Sequence, residues 1–213
     1  MIILFDLDGT LIDSTDAILE SFHNSFKVHN VQNPPHDDEI KALIGYPLDV
    51  MYASLGMPKE EVWDYVATYK EHYRKISTQK TILLENAKQS VELASSFATL
   101  GIVTTKTGKY SEVLMQHFGL MDKFDVLIGR EDVQNPKPHQ EPIQKALYAL
   151  KADIEQESIW MIGDTKLDLL CAKNAGVHSI GVLSGYDSKE TLEQYSDFIY
   201  NDALEAIKFL QNK

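Results

Sequence analysis

Short apolar runs recur along this chain, and each is followed by apolar residues at helical spacing. The runs are Ile2–Leu7, Ile102–Thr105, Phe124–Ile128, Ile159–Ile162 and Val177–Leu183. Runs rich in valine, isoleucine and leucine are typical of strands that are buried on both faces of a parallel sheet. Strands that alternate with helices indicate βαβ units. The sequence therefore predicts an α/β fold built on a Rossmann-like, doubly wound parallel sheet.

One region interrupts this alternation. Residues 15–82 contain only helical patterns, such as the four-residue spacing of Ile18, Phe22 and Phe26, and prolines and glycines punctuate them. A connection of this length and regularity is better explained as an inserted domain than as a loop. The sequence predicts a core domain made of residues 1–14 and 83–213, and a helical cap domain made of residues 15–82.

The charge of the chain restricts its partners. A formal net charge of −12 at pH 7 disfavours nucleic acid and anionic membranes, because both attract basic surfaces. A phosphorylated small molecule is not excluded, because a metal ion and a few cations can invert the field inside a cleft. A single cysteine, the lack of a signal-like leader and the short apolar runs favour a cytoplasmic protein. No oligomeric state is predicted.

The first apolar run ends in two aspartates. Asp6 and Asp8 are separated by one residue, so in a strand both side chains point to the same side. Open parallel sheets bind ligands at the carboxyl ends of their strands. Two such close carboxylates repel each other unless a cation lies between them or one is protonated. For this segment alone, an Asp-Gly turn with two solvated acids is an equally good explanation.

Further polar residues accompany the later runs. Thr104 and Thr105 end the second run, Lys137 precedes a helix, and Asp164 and Asp168 lie where another helix begins. Each has an ordinary alternative: a strand threonine, a solvated lysine, a helix N-cap, or an acid that favours the helix dipole. Their order and placement favour a shared site, to which they bring a hydroxyl, a cation and two more acids.

In this order the motifs resemble those of the haloacid dehalogenase (HAD) superfamily of phosphotransferases. The matching residues are Asp6-Leu7-Asp8-Gly9-Thr10 for the first motif, Thr104 for the second, Lys137 for the third, and Gly163-Asp164-Thr165 with Asp168 for the fourth. The resemblance covers the whole chain and is best to the phosphoglycolate phosphatase-like branch. Thr105 and Gln140 depart from that branch, which often has asparagine and proline there. These departures weaken any transfer of substrate identity.

The resemblance implies a phosphatase that works through an aspartyl-phosphate. It implies that Asp6 attacks phosphorus and that Asp8 gives a proton to the leaving oxygen and later takes one from water. The side chains of Thr104 and Lys137, together with backbone N–H groups beside Thr105, would hold the phosphate oxygens.

The resemblance also implies a Mg²⁺ cofactor. The expected ligands are the side chains of Asp6 and Asp164 and the backbone carbonyl of Asp8, with Asp168 supporting the site from outside the ligand set. Oxygen donors of this kind suit Mg²⁺, which keeps several waters and needs few carboxylates.

The expected substrate is a small phosphorylated metabolite, with 2-phosphoglycolate as one candidate. A phosphomutase of the β-phosphoglucomutase type, a pyrophosphatase and a nucleotidase on the same core stay open. A dehalogenase is disfavoured because halide leaves without a proton and needs neither Asp8 nor Asp164. A silent binding module is disfavoured because no motif position is missing. Within the cap, Tyr46 in the loop Ile44–Leu48 is the candidate for specificity, although a half-buried tyrosine in a helix–helix turn explains it equally well.

Overall fold

The computed structural model describes residues 1–153, 155 and 157–213. The chain divides into two compact units, Met1–Asp13 with Leu83–Lys213, and Ser14–Ile82. We refer to them as the core unit and the helical unit. The helical unit comprises the residues that the sequence assigns to a cap, and its role as a cap stays a prediction.

The core unit contains a six-stranded parallel sheet with the order β5-β4-β1-β6-β7-β8. The strands of the protein are β1 (Ile2–Phe5), β2 (Ile12–Asp13), β3 (Ile82–Leu83), β4 (Thr99–Val103), β5 (Val126–Ile128), β6 (Ile159–Gly163), β7 (His178–Val182) and β8 (Ile199–Tyr200). All five predicted strands are present, with bounds that differ by a few residues. Strands β2 and β3 pair separately as a two-stranded sheet, and these two strands and β8 were not predicted.

Strand β1 lies between β4 and β6, where the strand order reverses. Its last residue, Phe5, is opposite Ile102 on one side and Ile162 on the other. Such a switch point is where open α/β sheets bind ligands. The residues after Phe5 are therefore placed between the carboxyl ends of two neighbouring strands.

The helical unit contains four helices, α1 (Thr15–Val28), α2 (Asp37–Lys41), α3 (Leu48–Ser54) and α4 (Val62–Lys80). Phe22 on α1 lies between Tyr52 of α3, at 4.6 Å between ring centroids, and Tyr69 of α4, at 5.1 Å. The four-residue spacing of Ile18, Phe22 and Phe26 is confirmed as the buried face of α1. The expectation of helical structure alone through residue 82 was wrong at its end, because strand β3 starts at Ile82.

The core unit contains the remaining helices, α5 (Ala87–Ala94), α6 (Gly108–His117), α7 (Glu141–Leu150), α8 (Lys166–Ala175), α9 (Lys189–Leu192) and α10 (Ala203–Gln211). Successive residues of β1 face opposite sides of the sheet, as the pleat requires. Ile3 and Phe5 pack with residues of α5, α6 and α10, whereas Ile2 and Leu4 pack with residues of α7 and α8. Helices on both faces confirm the doubly wound α/β class. Within the described part of the chain, no helix combines the length and apolar character needed to cross a membrane.

Candidate active site

Asp6 follows the central strand directly and is buried, with 2% of its surface exposed. Its backbone N–H donates to Ile162 O at 2.9 Å, which continues the pairing with β6. The chain then turns, with Thr10 N–H and Leu11 N–H both donating to Leu7 O. Gly9 has a φ of +79° and its Cα faces the Asp164 carboxylate, where a Cβ would clash. Glycine is therefore required here both by the turn and by the close approach of an acid.

Lys137 is the buried cation of the site. Its Nζ lies 2.5 Å from Asp168 Oδ1 and 3.1 Å from Asp6 Oδ1, and it donates to Val103 O at 3.1 Å. Burial alone would lower the pKa of Lys137, but attraction to Asp168 and Asp6 outweighs burial and raises it. The side chain is therefore a permanent cation that lies against the end of β1.

Asp164 and Asp168 extend from the end of β6 and the first turn of α8. Asp164 accepts from Thr10 Oγ1 at 2.9 Å and from Tyr186 N–H at 2.9 Å. Asp168 Oδ2 accepts from both the N–H and the Oγ1 of Thr165, at 3.1 Å and 2.7 Å. Thr165 is the N-cap of α8, so the N-cap interpretation of this residue is confirmed.

Three buried carboxylates converge at this point. Oxygen atoms of Asp6, Asp164 and Asp168 lie within 4.8 Å of one another. Burial raises the pKa of Asp6 to about 7, with attraction to Lys137 partly opposing it and repulsion from Asp168 adding to it. Burial, followed by repulsion from Asp168 and Asp6, also raises the pKa of Asp164 well above its usual range. A cluster of this kind gains from a divalent cation, and its oxygen donors are the type that Mg²⁺ prefers.

Asp8 forms an ion pair with Lys106, a residue without a predicted role in the site. Lys106 Nζ lies 2.9 Å from Asp8 Oδ2, and 9% of the lysine side chain is exposed. Thr104 is buried at the end of β4, and its Oγ1 accepts the Lys106 N–H at 3.2 Å. Thr105 lies between them and is half-buried. A lysine two residues after the motif threonine was the available signal, but sequence spacing alone does not show which acid it reaches.

The loop after β7 is a second part of the site that the sequence analysis missed. Ser184 Oγ donates to Gly9 O at 2.8 Å, and Tyr186 N–H is one of the donors to Asp164. Gly185 lies so close to Asp164 that a Cβ would clash with the carboxylate. The signal was a glycine flanked by polar residues at the carboxyl end of a predicted strand.

The structure brings together most of the residues that the motifs single out. Ion pairs and hydrogen bonds join Asp6, Lys137, Asp168 and Thr165 in one network. Asp164 lies beside this network with its oxygens close to those of Asp6 and Asp168, and its own hydrogen bonds come from Thr10 and Tyr186. Asp8 and Thr104 are linked through Lys106. Tyr46 belongs to the helical unit, where it lies half-buried between α2 and α3 and donates its N–H to Leu43 O. Its part in specificity stays a prediction.

The fold and this acidic site define a hydrolase of the haloacid dehalogenase type. A sequence model of the family described as haloacid dehalogenase-like hydrolase matches residues 3–182, and the chain belongs to this family. A solved structure of a hydrolase of the haloacid dehalogenase-like family from Streptococcus pneumoniae has a TM-score of 0.86 at 29% identity, and the match covers 99% of this chain and 98% of that chain.

Relatives of similar length carry phosphatase names. Pyrophosphatase PpaX of Halalkalibacterium halodurans is 34% identical over 194 residues, which are 91% of this chain and 88% of that protein. Pyrophosphatase PpaX of Bacillus cereus (strain B4264) is 30% identical over 215 residues, with 99% of this chain and 96% of that protein covered. The chain is therefore placed among the phosphatases of its family.

Proposed function

We propose that this protein is a Mg²⁺-dependent phosphatase that hydrolyses a small phosphorylated compound through an aspartyl-phosphate on Asp6. The observation that carries the proposal is the position of Lys137 Nζ, 3.1 Å from Asp6 Oδ1 at the end of the central strand. A carboxylate nucleophile therefore lies beside a cation that can hold a phosphoryl oxygen. In-line attack on phosphorus requires these two groups to be positioned together.

Hydrogen bonding supports Asp6 as the nucleophile over its acidic neighbours. Both oxygens of Asp164 accept hydrogen bonds, and both oxygens of Asp168 are engaged by Lys137 and Thr165. Among the described residues, Asp6 Oδ1 has no hydrogen-bond partner of good geometry. A carboxylate oxygen that is near a cation yet accepts no well-formed hydrogen bond keeps its lone pairs for attack on phosphorus.

The donor set fits a Mg²⁺ ion. The side chains of Asp6 and Asp164 and the backbone carbonyl of Asp8 would hold it, while Asp168 is already committed to Lys137 and Thr165. When bound, the ion supplies positive charge that offsets the repulsion between a phosphate dianion and an anionic nucleophile. The pKa values of Asp6 and Asp164 are raised because burial makes their negative charges costly, and a bound cation would stabilise those charges.

The other residues supply binding and proton transfer. Lys137 and Thr104 hold the non-bridging oxygens, where charge is stabilised in the transition state. Because Thr104 Oγ1 accepts the Lys106 N–H, its hydroxyl hydrogen is left to donate to the phosphoryl group. Asp8 gives its proton to the leaving oxygen. It then takes a proton from the water that attacks phosphorus and releases Asp6.

Pyrophosphate is the first substrate candidate. The relatives at 30–34% identity cover nearly the whole chain and are named pyrophosphatases. The second candidate is 2-phosphoglycolate, which the sequence resemblance suggests. Both are small, and in both the group that leaves carries negative charge of its own.

The test is a phosphate-release assay with purified protein. The panel contains pyrophosphate, 2-phosphoglycolate, a nucleoside monophosphate and a hexose phosphate, the last with and without a sugar bisphosphate to detect mutase activity. We expect hydrolysis of one or both of the first two with Mg²⁺, and none in excess EDTA or by the Asp6→Asn variant. Turnover that persists in EDTA or in Asp6→Asn would contradict the proposal.

A further inference from the structure

We propose that Lys106 binds the leaving group of the substrate, and that the core unit thereby selects phosphoryl compounds whose leaving group is anionic. This inference rests on the proposed function, because it takes Asp8 as the residue that protonates the leaving oxygen. It assigns part of the substrate selection to the core unit, in addition to Tyr46, the candidate for specificity within the predicted cap.

The backbone of Lys106 is fixed on both sides. Its N–H donates to Thr104 Oγ1 at 3.2 Å, and its carbonyl accepts from Arg130 N–H at 3.0 Å. The side chain then runs to Asp8, with Nζ 2.9 Å from Oδ2 and only 9% of the side chain exposed. A lysine side chain with so little exposed surface is costly to bury unless nearby anions stabilise its charge. Lys106 is therefore a built part of the site and not a mobile surface lysine.

The geometry limits how far Lys106 is from the leaving group. A general acid must lie within hydrogen-bond distance of the oxygen that it protonates, about 2.7 Å. With Nζ 2.9 Å from Asp8 Oδ2, the leaving oxygen is within about 6 Å of Nζ if Oδ2 gives the proton. If the other oxygen gives it, the limit is about 8 Å. A phosphate or carboxylate one or two bonds beyond the leaving oxygen is then within reach of the ammonium group.

The charges around the site explain why such a cation is needed. Three buried acids, Asp6, Asp164 and Asp168, lie together, and Lys137 is paired with two of them. Lys137 and a bound Mg²⁺ ion would together offset the charge of these three acids, so a leaving group with its own negative charge needs a further cation. The structure places Lys106 beside Asp8, on the side where the leaving group departs. A neutral leaving group gains nothing comparable from it.

If Lys106 had a different role, its loss would affect a different set of substrates. If Lys106 only orients Asp8, its loss affects every substrate that needs a protonated leaving oxygen, irrespective of leaving-group charge. If Lys106 contacts the leaving group, its loss affects anionic leaving groups selectively. Selectivity between charged and neutral leaving groups therefore separates a binding residue from a positioning residue.

The experiment measures equilibrium binding to protein that carries Asp6→Asn, so that bound ligands are not turned over. The ligands are 2-phosphoglycolate and ethyl phosphate, which share the phosphoester and differ in the charge of the leaving group. With Mg²⁺ present, Lys106→Met should lower the affinity for 2-phosphoglycolate by about 10- to 100-fold, the usual effect of losing a hydrogen bond to a charged group. The affinity for ethyl phosphate should change by less than about 3-fold.

Lys109→Met is the matched control, because it removes the same charge from an exposed lysine three residues away. It should leave both affinities unchanged, and Lys106→Arg should keep most of the selectivity. Equal losses for the two ligands, or an Arg variant as poor as the Met variant in a folded protein, would overturn the proposal.

Turnover distinguishes this failure from a failure of the proposed function. In protein with Asp6 intact, Lys106→Met should lower the ratio of kcat/KM for pyrophosphate to that for ethyl phosphate. If the unaltered protein hydrolyses none of these compounds, the proposed function fails, yet the binding comparison still decides the role of Lys106. If it binds neither phosphoester, both proposals fail.

Discussion

Lys137 Nζ and Asp168 Oδ1 lie 2.5 Å apart, and both side chains are buried. The lysine comes from the loop before α7 and the aspartate from the first turn of α8, so the pair joins two separate sequence motifs. Because Asp168 is itself fixed by the N–H and hydroxyl of Thr165, the N-terminus of α8 sets the position of the lysine beside Asp6.

Removing this buried carboxylate should destabilise the protein. Asp168→Asn leaves the Lys137 charge with a weaker set of partners, and breaking a buried ion pair typically costs about 3–5 kcal/mol. Remaining attraction to Asp6 should keep the loss in the free energy of unfolding near the lower end, about 3 kcal/mol. Urea denaturation measures it. The control is Glu193→Gln, which breaks an exposed pair with Lys189 and should cost less than about 0.5 kcal/mol. Similar losses for the two variants would contradict the prediction.

The raised pKa of Asp6, about 7, predicts how the stability of metal-free protein depends on pH. A carboxyl group whose folded pKa exceeds its unfolded value, near 4, contributes stability that is fully present below the unfolded value. That contribution is lost as pH rises through about 7, because the folded state must then bury the charge. The free energy of unfolding, measured in EDTA between pH 4.5 and 8, should therefore fall more steeply in the unaltered protein than in Asp6→Asn. Parallel curves would contradict the prediction.

Gly185 should be intolerant of even a methyl group. A Cβ at this position would occupy the place of the Asp164 carboxylate, so Gly185→Ala should displace that side chain. We expect Mg²⁺ affinity, measured by calorimetry, to fall by at least about 10-fold, as is common when a group that orients a ligand is lost. Gly119→Ala is the control, since Gly119 has a φ of +68° but open space around its Cα. It should cost about 1–2 kcal/mol of stability, because a residue with a Cβ is strained at positive φ, and it should leave Mg²⁺ affinity unchanged. An unchanged affinity in Gly185→Ala would count against the role of the loop.

The importance of Asp8 should depend on the leaving group. An alkoxide leaves poorly without a proton, so Asp8→Ala should slow the first step with alkyl phosphates by roughly 10²–10⁴-fold. A nitrophenolate leaves readily unprotonated, so the first step with the aryl ester should suffer much less. Rapid-mixing kinetics with both esters gives the two rates. Equal slowing would mean that Asp8 serves mainly the structure of the site.

The part of the fold that the sequence predicted depends on local patterns. Near-continuous apolar runs indicate buried parallel strands, and five such strands are present. The edge strand β8, Ile199–Tyr200, was missed because two half-buried residues show no periodicity. The first apolar run was expected to form a strand as far as Leu7, but β1 ends at Phe5. The chain then enters the turn that contains Gly9, whose φ is positive.

The residues of the candidate site also fall into two groups, those that local sequence patterns indicate and those that they do not. Asp6, Lys137 and Asp164 could be predicted because each belongs to a motif with a fixed spacing near the end of a strand. The contacts of Lys106 with Asp8 and of Gly185 with Asp164 join segments that are distant in sequence. Such contacts follow from the approach of neighbouring strand ends, which spacing along the chain does not encode.

Mass spectrometry of acid-quenched Asp8→Ala protein shows whether Asp6 becomes phosphorylated. In this variant an aryl phosphate should still phosphorylate Asp6, while hydrolysis of the intermediate is slow because the attacking water lacks a base. We expect a burst of nitrophenol and one phosphoryl group on the peptide that contains Asp6, with neither in Asp6→Asn/Asp8→Ala. A phosphoryl group on another residue, or a burst that survives the loss of Asp6, would contradict this expectation.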